Sequence, residues 1–143
     1  MSASQIIVDM VNKTVANVTH EVQARGYQAS NELKTASLYV LRGQRSGRIY
    51  RVPHTKKTYQ ASAPGESPAV RTGIFRLSWK PKITTIGDGV IAAIESDVMV
   101  GKYNLGELLE GGTKKMAPRP YKEAVKARAL PKILAIYKQS YNI

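Results

Sequence analysis

Few side chains in this sequence have the type and spacing to do covalent chemistry. There are two histidines, His20 and His54, and no cysteine. His20 is followed directly by Glu21, whereas a helical metal pair needs partners four residues apart. His54 stands in a turn-like run beside Lys56 and Lys57, a poor place to hold a cation. Neither histidine is patterned with a Ser or Thr nucleophile and an orienting acid. Gly111-Gly112-Thr113-Lys114-Lys115 has the residues of a phosphate loop without their order, which requires G-x-x-x-x-G-K-[ST] after a strand. No catalytic residue, metal site or cofactor is therefore expected. Glu107 and Glu110 stand three apart in a helix-patterned run. Such a like-charge pair is mildly unfavourable unless a cation answers it. It is either a solvent face or an acidic patch for Lys or Arg of another element or subunit.

Charge is the strongest compositional signal. Twenty-two Lys and Arg against ten Asp and Glu give +12. Ten of the basic residues, against Glu66 alone, fall between Arg42 and Lys82, so this segment holds nine of the twelve net charges. A strip of this kind favours a polyanion or an acidic protein surface. Its arginines are interleaved with Tyr50 and Tyr59, which suits sequence-blind contact with nucleic acid. No helix-turn-helix, zinc or ribonucleoprotein signature accompanies them. The first ten residues lack a basic run followed by an apolar one, so no signal peptide is expected. No window approaches a membrane span. At 143 residues the chain reads as one domain, and an apolar fraction of 43% is slightly low for a compact globule. Some segments are expected to protrude or to be buried against other subunits.

The elements follow from periodicity. Apolar residues at Ile7, Val11, Val15, Val18, Val22, Ala29, Leu33, Ala36 and Val40 share one face of a helix over about residues 4–41. Ser2 with Gln5 fits a capping box, Ser4 is an alternative cap, and Gly43 is a plausible end. At 1.5 Å per residue this helix is roughly 55 Å long, more than a domain of this size covers alone. Two helices meeting near Gly26 are the alternative. Residues 44–63 read as a basic hairpin arm with strands at Arg48–Val52 and Thr58–Ser62. Its few apolar residues cannot stabilise it alone. Residues 64–71 are loop, and Thr72 fits the cap of a short helical turn. Trp79–Ile86 and Val90–Val100 read as a hairpin joined at Gly87-Asp88-Gly89. Tyr103–Leu109 is helical, and a last helix starts after Pro118 and Pro120, with Pro131 expected to kink or split it. The fold class is α+β: a long N-terminal helix and a C-terminal helix packed on a small antiparallel sheet, with the arm protruding.

Two stretches carry a resemblance. Ala61 to Ser78 reads A-S-A-P-G-E-S-P-A-V-R-T-G-I-F-R-L-S, and Tyr103 to Tyr121 reads Y-N-L-G-E-L-L-E-G-G-T-K-K-M-A-P-R-P-Y. In this order and separation they resemble the neck, tail-completion or head–tail joining proteins of long-tailed double-stranded DNA phages. The two blocks cover about a quarter of the chain, and the element order extends over nearly all of it. Arg71 stands where that family often has an acid, and Gly111 where it has an aromatic residue. The resemblance implies a non-enzymatic virion protein, made in the host cytoplasm, that forms a ring, commonly six-fold, between capsid and tail. Its partners would be further copies of itself and neighbouring connector and tail proteins. A terminator capping the tail tube, and a sequence-blind nucleic-acid module, are the alternatives.

Within that reading, Arg45, Arg48, Arg51, Lys56 and Lys57 are expected to steer the arm onto a neighbouring subunit or ring. Deleting Arg45 to Thr58 would leave a folded monomer without rings. Arg119, held between two prolines, is expected to form an inter-element or inter-subunit salt bridge with Glu107 or Glu110 as partner, and Tyr121 to share in these contacts.

Overall fold

The structure is a computed structural model, and it describes residues 2–43, 45–71, 73–87 and 89–141. The fold is α+β: a long N-terminal helix, a C-terminal helix and small antiparallel sheets. In chain order the elements are α1 (Ala3–Val40), β1 (Ile49–Arg51), β2 (Thr58–Gln60), α2 (Ile74–Leu77), β3 (Lys80–Ile86), β4 (Gly89–Glu95), β5 (Met99–Val100), β6 (Tyr103–Asn104), α3 (Leu105–Gly111) and α4 (Lys122–Lys138). The strands form three separate two-stranded ribbons: β1 with β2, β3 with β4, and β5 with β6.

α1 is one unbroken helix of 38 residues. The Ser2 hydroxyl accepts from the Gln5 amide at 3.2 Å. The Gln5 side chain does not complete the expected box and donates instead to Asp9 at 2.9 Å. The helix ends at Leu41, whose amide reaches Ser37 O at 2.9 Å, two residues before the expected Gly43. Gly26 does not divide it, because its missing side chain serves packing. A Cβ there would lie 2.7 Å from Val90 Cγ1 and 3.3 Å from Ile83 Cδ1, so α1 crosses the β3–β4 ribbon in direct contact at this point.

The ribbon register pairs Pro81 with Ile94, Ile83 with Ala92 and Thr85 with Val90. Alternation puts these pairs on one face, and that face meets α1. The expected second strand, Val90–Val100, is broken. Past Glu95 the chain leaves the ribbon, because Ser96 O accepts from Asn104 Nδ2 and Val98 O from the Leu105 amide, both at 2.8 Å. Met99 and Val100 then pair with Asn104 and Tyr103 as a second small hairpin.

α4 packs against α1, not as a second helix on the sheet. It runs antiparallel to α1. Arg128 lies over the Tyr39 ring at 3.2 Å, Lys132 reaches Glu32 at 3.8 Å, and Arg25 donates to Gln139 O at 2.6 Å and Ser140 O at 2.8 Å. Arg25 is buried and so closes the carbonyl end of α4, where a cation is favoured. Pro131 neither splits nor ends the helix. It is exposed, while Ala129 and Ile133 hold the flanking turns on the core. That core is small: Ala36, Leu41, Trp79, Tyr121, Val125 and Ala129, with Leu33, Phe75, Ile94 and Leu109 packed around them.

The stripe on α1 is half buried and half not. Its C-terminal half is covered, but residues 3–17 are exposed without exception. Ile7 is 62%, Val11 55% and Val15 58% exposed. The helix therefore overhangs its partners by about 22 Å at 1.5 Å per residue. The cap expected at Thr72, and Asp88 of the expected turn, lie outside the described residues.

Gly26→Leu is expected to gain under ~1 kcal/mol of helix propensity and to lose about 1–3 kcal/mol to overpacking. The net effect is destabilising. Adding Val90→Ala restores room and part of the loss, to be read from urea unfolding midpoints of the single and double variants.

Candidate assembly interface

The arm is built on a ladder of three residue pairs, with Ile49 opposite Gln60, Tyr50 opposite Tyr59 and Arg51 opposite Thr58. The Tyr50 and Tyr59 rings stack with centroids 6.0 Å apart. The tip closes through Val52 N to Lys57 O at 2.9 Å, and Thr55 Oγ1 donates to Val52 O at 2.9 Å. His54 sits in this tip at φ 61°, a left-handed conformation in which His is enriched among non-glycine residues. Arg48, Arg51, Lys56 and Lys57 are all exposed, and none forms an ion pair among the described residues. They are the four free cations of the arm.

Arg45 is placed differently from the expectation. Its guanidinium donates to Val40 O at 2.7 Å and to Pro68 O at 3.1 Å, so it ties the end of α1 to the 64–71 loop. Burial lowers its pKa from the ordinary value, and nearby Glu66 opposes that shift. The Ser46 hydroxyl hydrogen-bonds the Glu66 carboxylate and holds its pKa below the usual carboxylate value, with Arg45 adding to the lowering. Arg45 is thus a clamp at the arm's base, and a deletion starting there would remove part of the body along with the arm.

The two motif blocks meet in space. Gly65 N donates to Pro118 O at 3.1 Å and Ser67 Oγ to Pro120 O at 2.9 Å. Phe75, Trp79 and Tyr121 form a mutual edge-on trio with centroids 5.6–5.7 Å apart. The Pro118–Pro120 segment is therefore a strap, docked by Arg119 N to Leu109 O at 2.7 Å on one side and by the 65–67 loop on the other.

The ion pair expected of Arg119 with Glu107 or Glu110 does not form within the chain. Arg119 turns its guanidinium back onto Ala117 O at 3.1 Å and Pro118 O at 3.4 Å. Both acids are engaged elsewhere. Glu107 pairs with Lys122 Nζ at 2.8 Å. Glu110 Oε2 accepts from the backbone amides of Tyr121 at 2.9 Å and Lys122 at 3.2 Å. A carboxylate on the first amides of α4 is favoured by charge and replaces the missing cap, since Tyr121 offers no side-chain acceptor there. That role was visible in outline: a helix that starts at Pro-Tyr without Ser, Thr, Asp or Asn needs an acceptor from outside.

Tyr121 is 3% exposed, and its hydroxyl has no hydrogen-bond partner among the described residues. It occupies the space left by the absent side chain of Gly106, whose Cβ would stand 2.6 Å from that oxygen. Burial pushes the Tyr121 phenol above its ordinary range, with Glu110 and then Glu107 adding to the rise.

Beside this hub lies an open cleft of about 570 Å³ between the arm's base, the 68–71 loop, α2 and α3. Val70, Ile74, Val98, Leu105, Leu109 and Met116 make its lining largely apolar, with Arg71, Arg76 and Arg119 around it. The cleft was not legible in the sequence, because its walls come from segments scattered between Leu41 and Arg119. Among the described residues, no group of three His, Asp or Glu side chains is placed to hold a metal, and no helix is long and apolar enough to cross a membrane. Comparison with family models, curated proteins and solved structures returns no match for the chain.

Glu110→Ala should lower stability by about 1–2 kcal/mol, as loss of a charged cap does, measured by urea unfolding. Tyr121→Phe should be neutral or stabilising at pH 7, because it deletes an unpaired buried hydroxyl, and it should relieve the clash introduced by Gly106→Ala in a double-mutant cycle. The phenol is protonated in the fold to a higher pH than in the unfolded chain. Stability it supports is complete below about pH 10 and falls above it by up to ~1.4 kcal/mol per pH unit. Tyr121→Phe should flatten that fall relative to wild type in alkaline unfolding curves.

Proposed function

We propose that this chain is a non-enzymatic virion structural protein, a subunit that assembles into a ring at the head–tail junction of a long-tailed double-stranded DNA phage and connects the filled capsid to the tail. The observation that carries the reading is burial left incomplete in one copy. Apolar residues 6–15 of α1 stand in solvent, and a short arm stands on three ladder pairs with four unpaired cations. Surfaces of this kind reach their proper environment when further copies cover them, and a heterologous contact repeated about an axis closes into a ring. The docking of Ala61–Ser78 against Tyr103–Tyr121 supports the reading further, since these are the stretches that resemble the neck proteins. Capsid and tail partners, virion location and six-fold symmetry belong to the same proposal, with a terminator capping the tail tube as its near variant.

The four free cations and the stacked Tyr50–Tyr59 pair favour a second reading, a sequence-blind nucleic-acid module. Salt separates the two. Four phosphate contacts give a slope of roughly −3.6 in log K against log salt, whereas a ring held by apolar contacts persists at high salt.

The direct test is electron microscopy of virions labelled with an antibody against this chain. Label at the neck supports the proposal; label confined to another part of the particle, or none, overturns it. A variant with Arg48, Arg51, Lys56 and Lys57 all changed to Glu should keep the wild-type unfolding midpoint, because these side chains are exposed and unpaired. It should fail to complete tailed particles in a complementation assay.

A further inference from the structure

We infer that the N-terminal overhang of α1 is a docking helix, and that its receptor is the apolar cleft between the arm's base, α2 and α3 of a second copy, joined head to tail. The inference names the contact faces of the ring proposed above and rests on that reading only for closure of the ring.

The overhang's own surface asks for a groove. Ile6, Ile7, Val8, Met10 and Val11 are all about half exposed or more. At 100° per residue they span an arc of about 200°, and Gln5, Asp9, Asn12 and Lys13 occupy the rest. The overhang is thus amphipathic with an unusually wide apolar face. A single facing helix would cover one stripe and leave the others wet. The stripe of Ile7, Val11, Val15 and Val18 is also continuous with the face that α1 buries farther along. Only its intramolecular cover stops, where α4 ends against Arg25.

The overhang cannot fill the cleft of its own chain. Leu41, at the C-terminal end of α1, is in the cleft wall. The overhang is the other end of the same unbroken helix, between roughly 35 and 55 Å away at 1.5 Å per residue. Donor and receptor at opposite ends of one rigid rod make a heterologous contact, which propagates from copy to copy.

Charge selects the same pair. The overhang holds one acid, Asp9, and one base, Lys13, so the +12 belongs to the rest of the chain. Two bodies of that charge repel, and the overhang is the neutral segment that one copy can offer to another. The Asp9 carboxylate accepts from Gln5 and has no cation partner among the described residues. Around the cleft's apolar floor, on which Ile74 is 65% exposed, Arg71 is exposed, while Arg76 donates to Leu38 O at 2.9 Å and Arg119 to Ala117 O at 3.1 Å. An amphipathic helix with anchors three and four residues apart, set in an apolar groove with a complementary charge at the rim, is an established recognition mode.

A mixing experiment on the full-length chain tests this. One variant disables the helix (Ile7→Asp with Val11→Asp) and the other disables the cleft (Ile74→Asp). Both sites are exposed, and far-UV helicity with Trp79 fluorescence checks the fold. In sedimentation velocity the wild type is expected to self-associate and each variant alone to be monomeric. Their equimolar mixture should form a dimer and nothing larger, because one helix and one cleft remain between them. If Ile74→Asp still assembles alone, if the mixture stays monomeric, or if the wild type is monomeric throughout the micromolar range, the inference is overturned. The chain has no cysteine, so Val11→Cys and Ile74→Cys copies provide a second measurement that needs no charged substitution. Thiol cross-linking between the two types supports the contact; Val11→Cys joined only to itself overturns it. Labelling of the virion neck reads the ring's location independently, so a failure of this contact is distinguishable from a failure of the neck reading.

Discussion

The fold depends on how closely α1 can approach what packs on it. Its buried face carries Gly26, Ala29, Ser30, Ala36 and Ser37, none larger than serine apart from Arg25. Short side chains let the β3–β4 ribbon and α4 both come near the helix axis. The hydroxyls of Ser30 and Ser37 are satisfied on Tyr27 O at 3.0 Å and Lys34 O at 2.7 Å in α1 itself, so their burial leaves no open polar group. Arg25 is the one large polar residue on that face, and it is spent closing α4, with Tyr141 over its guanidinium at 3.9 Å. α1 is thus the spine to which the other elements are referred.

The second organising feature is the aromatic trio. Phe75 and Trp79 are neighbours in sequence, and the distant Tyr121 meets them because the Pro118–Pro120 strap brings it back under α2. Gly106 makes room for the phenol, and Glu110 holds the amides that follow it. Edge-on aromatic pairs add about 0.5–1.5 kcal/mol each beyond area burial. In a core with so few fully buried residues, three such pairs weigh heavily. The residues that set the motif blocks apart in sequence are therefore mostly occupied with holding the body together. Glu107, Glu110 and Arg119 have partners inside this chain, and the Tyr121 ring is packed between Phe75 and Trp79.

What remains for assembly lies at the two extremities. The basic arm stands out near one end of α1 and the apolar overhang is its other end. In the proposed assembly, the overhang supplies apolar burial between copies and the arm supplies long-range attraction to an acidic surface of a neighbouring ring. These terms differ in range and in salt dependence. Such a division lets a subunit find a neighbouring ring by charge and hold its own copies by packing.

Local pattern was enough to indicate the α+β class, a helical α1 starting at Ser2 or Ser4, the arm, and the β3–β4 ribbon, because each depends on contacts close along the chain. That α1 runs unbroken past Gly26 was one of two readings, and the packing of Val90 and Ile83 there accompanies the outcome. The excess length of α1 was also readable, since a rise of 1.5 Å per residue needs no tertiary information. The rest depended on distant pairings. Whether Arg45 was a free charge or a clamp turned on Pro68 O, 23 residues away. Whether Glu110 faced a neighbour or capped α4 turned on where the strap placed the Tyr121 amide. Pro131 was expected to break α4 on local grounds, but Ala129 and Ile133 on the opposite face hold both sides of it against the core. The break between β4 and β5 was set by Asn104 and Leu105 returning to Ser96 and Val98. A polar side chain on a surface element has many partners within its reach, and sequence does not rank them. Only the packed chain, by fixing which carbonyls and amides lie nearby, decides which one it takes.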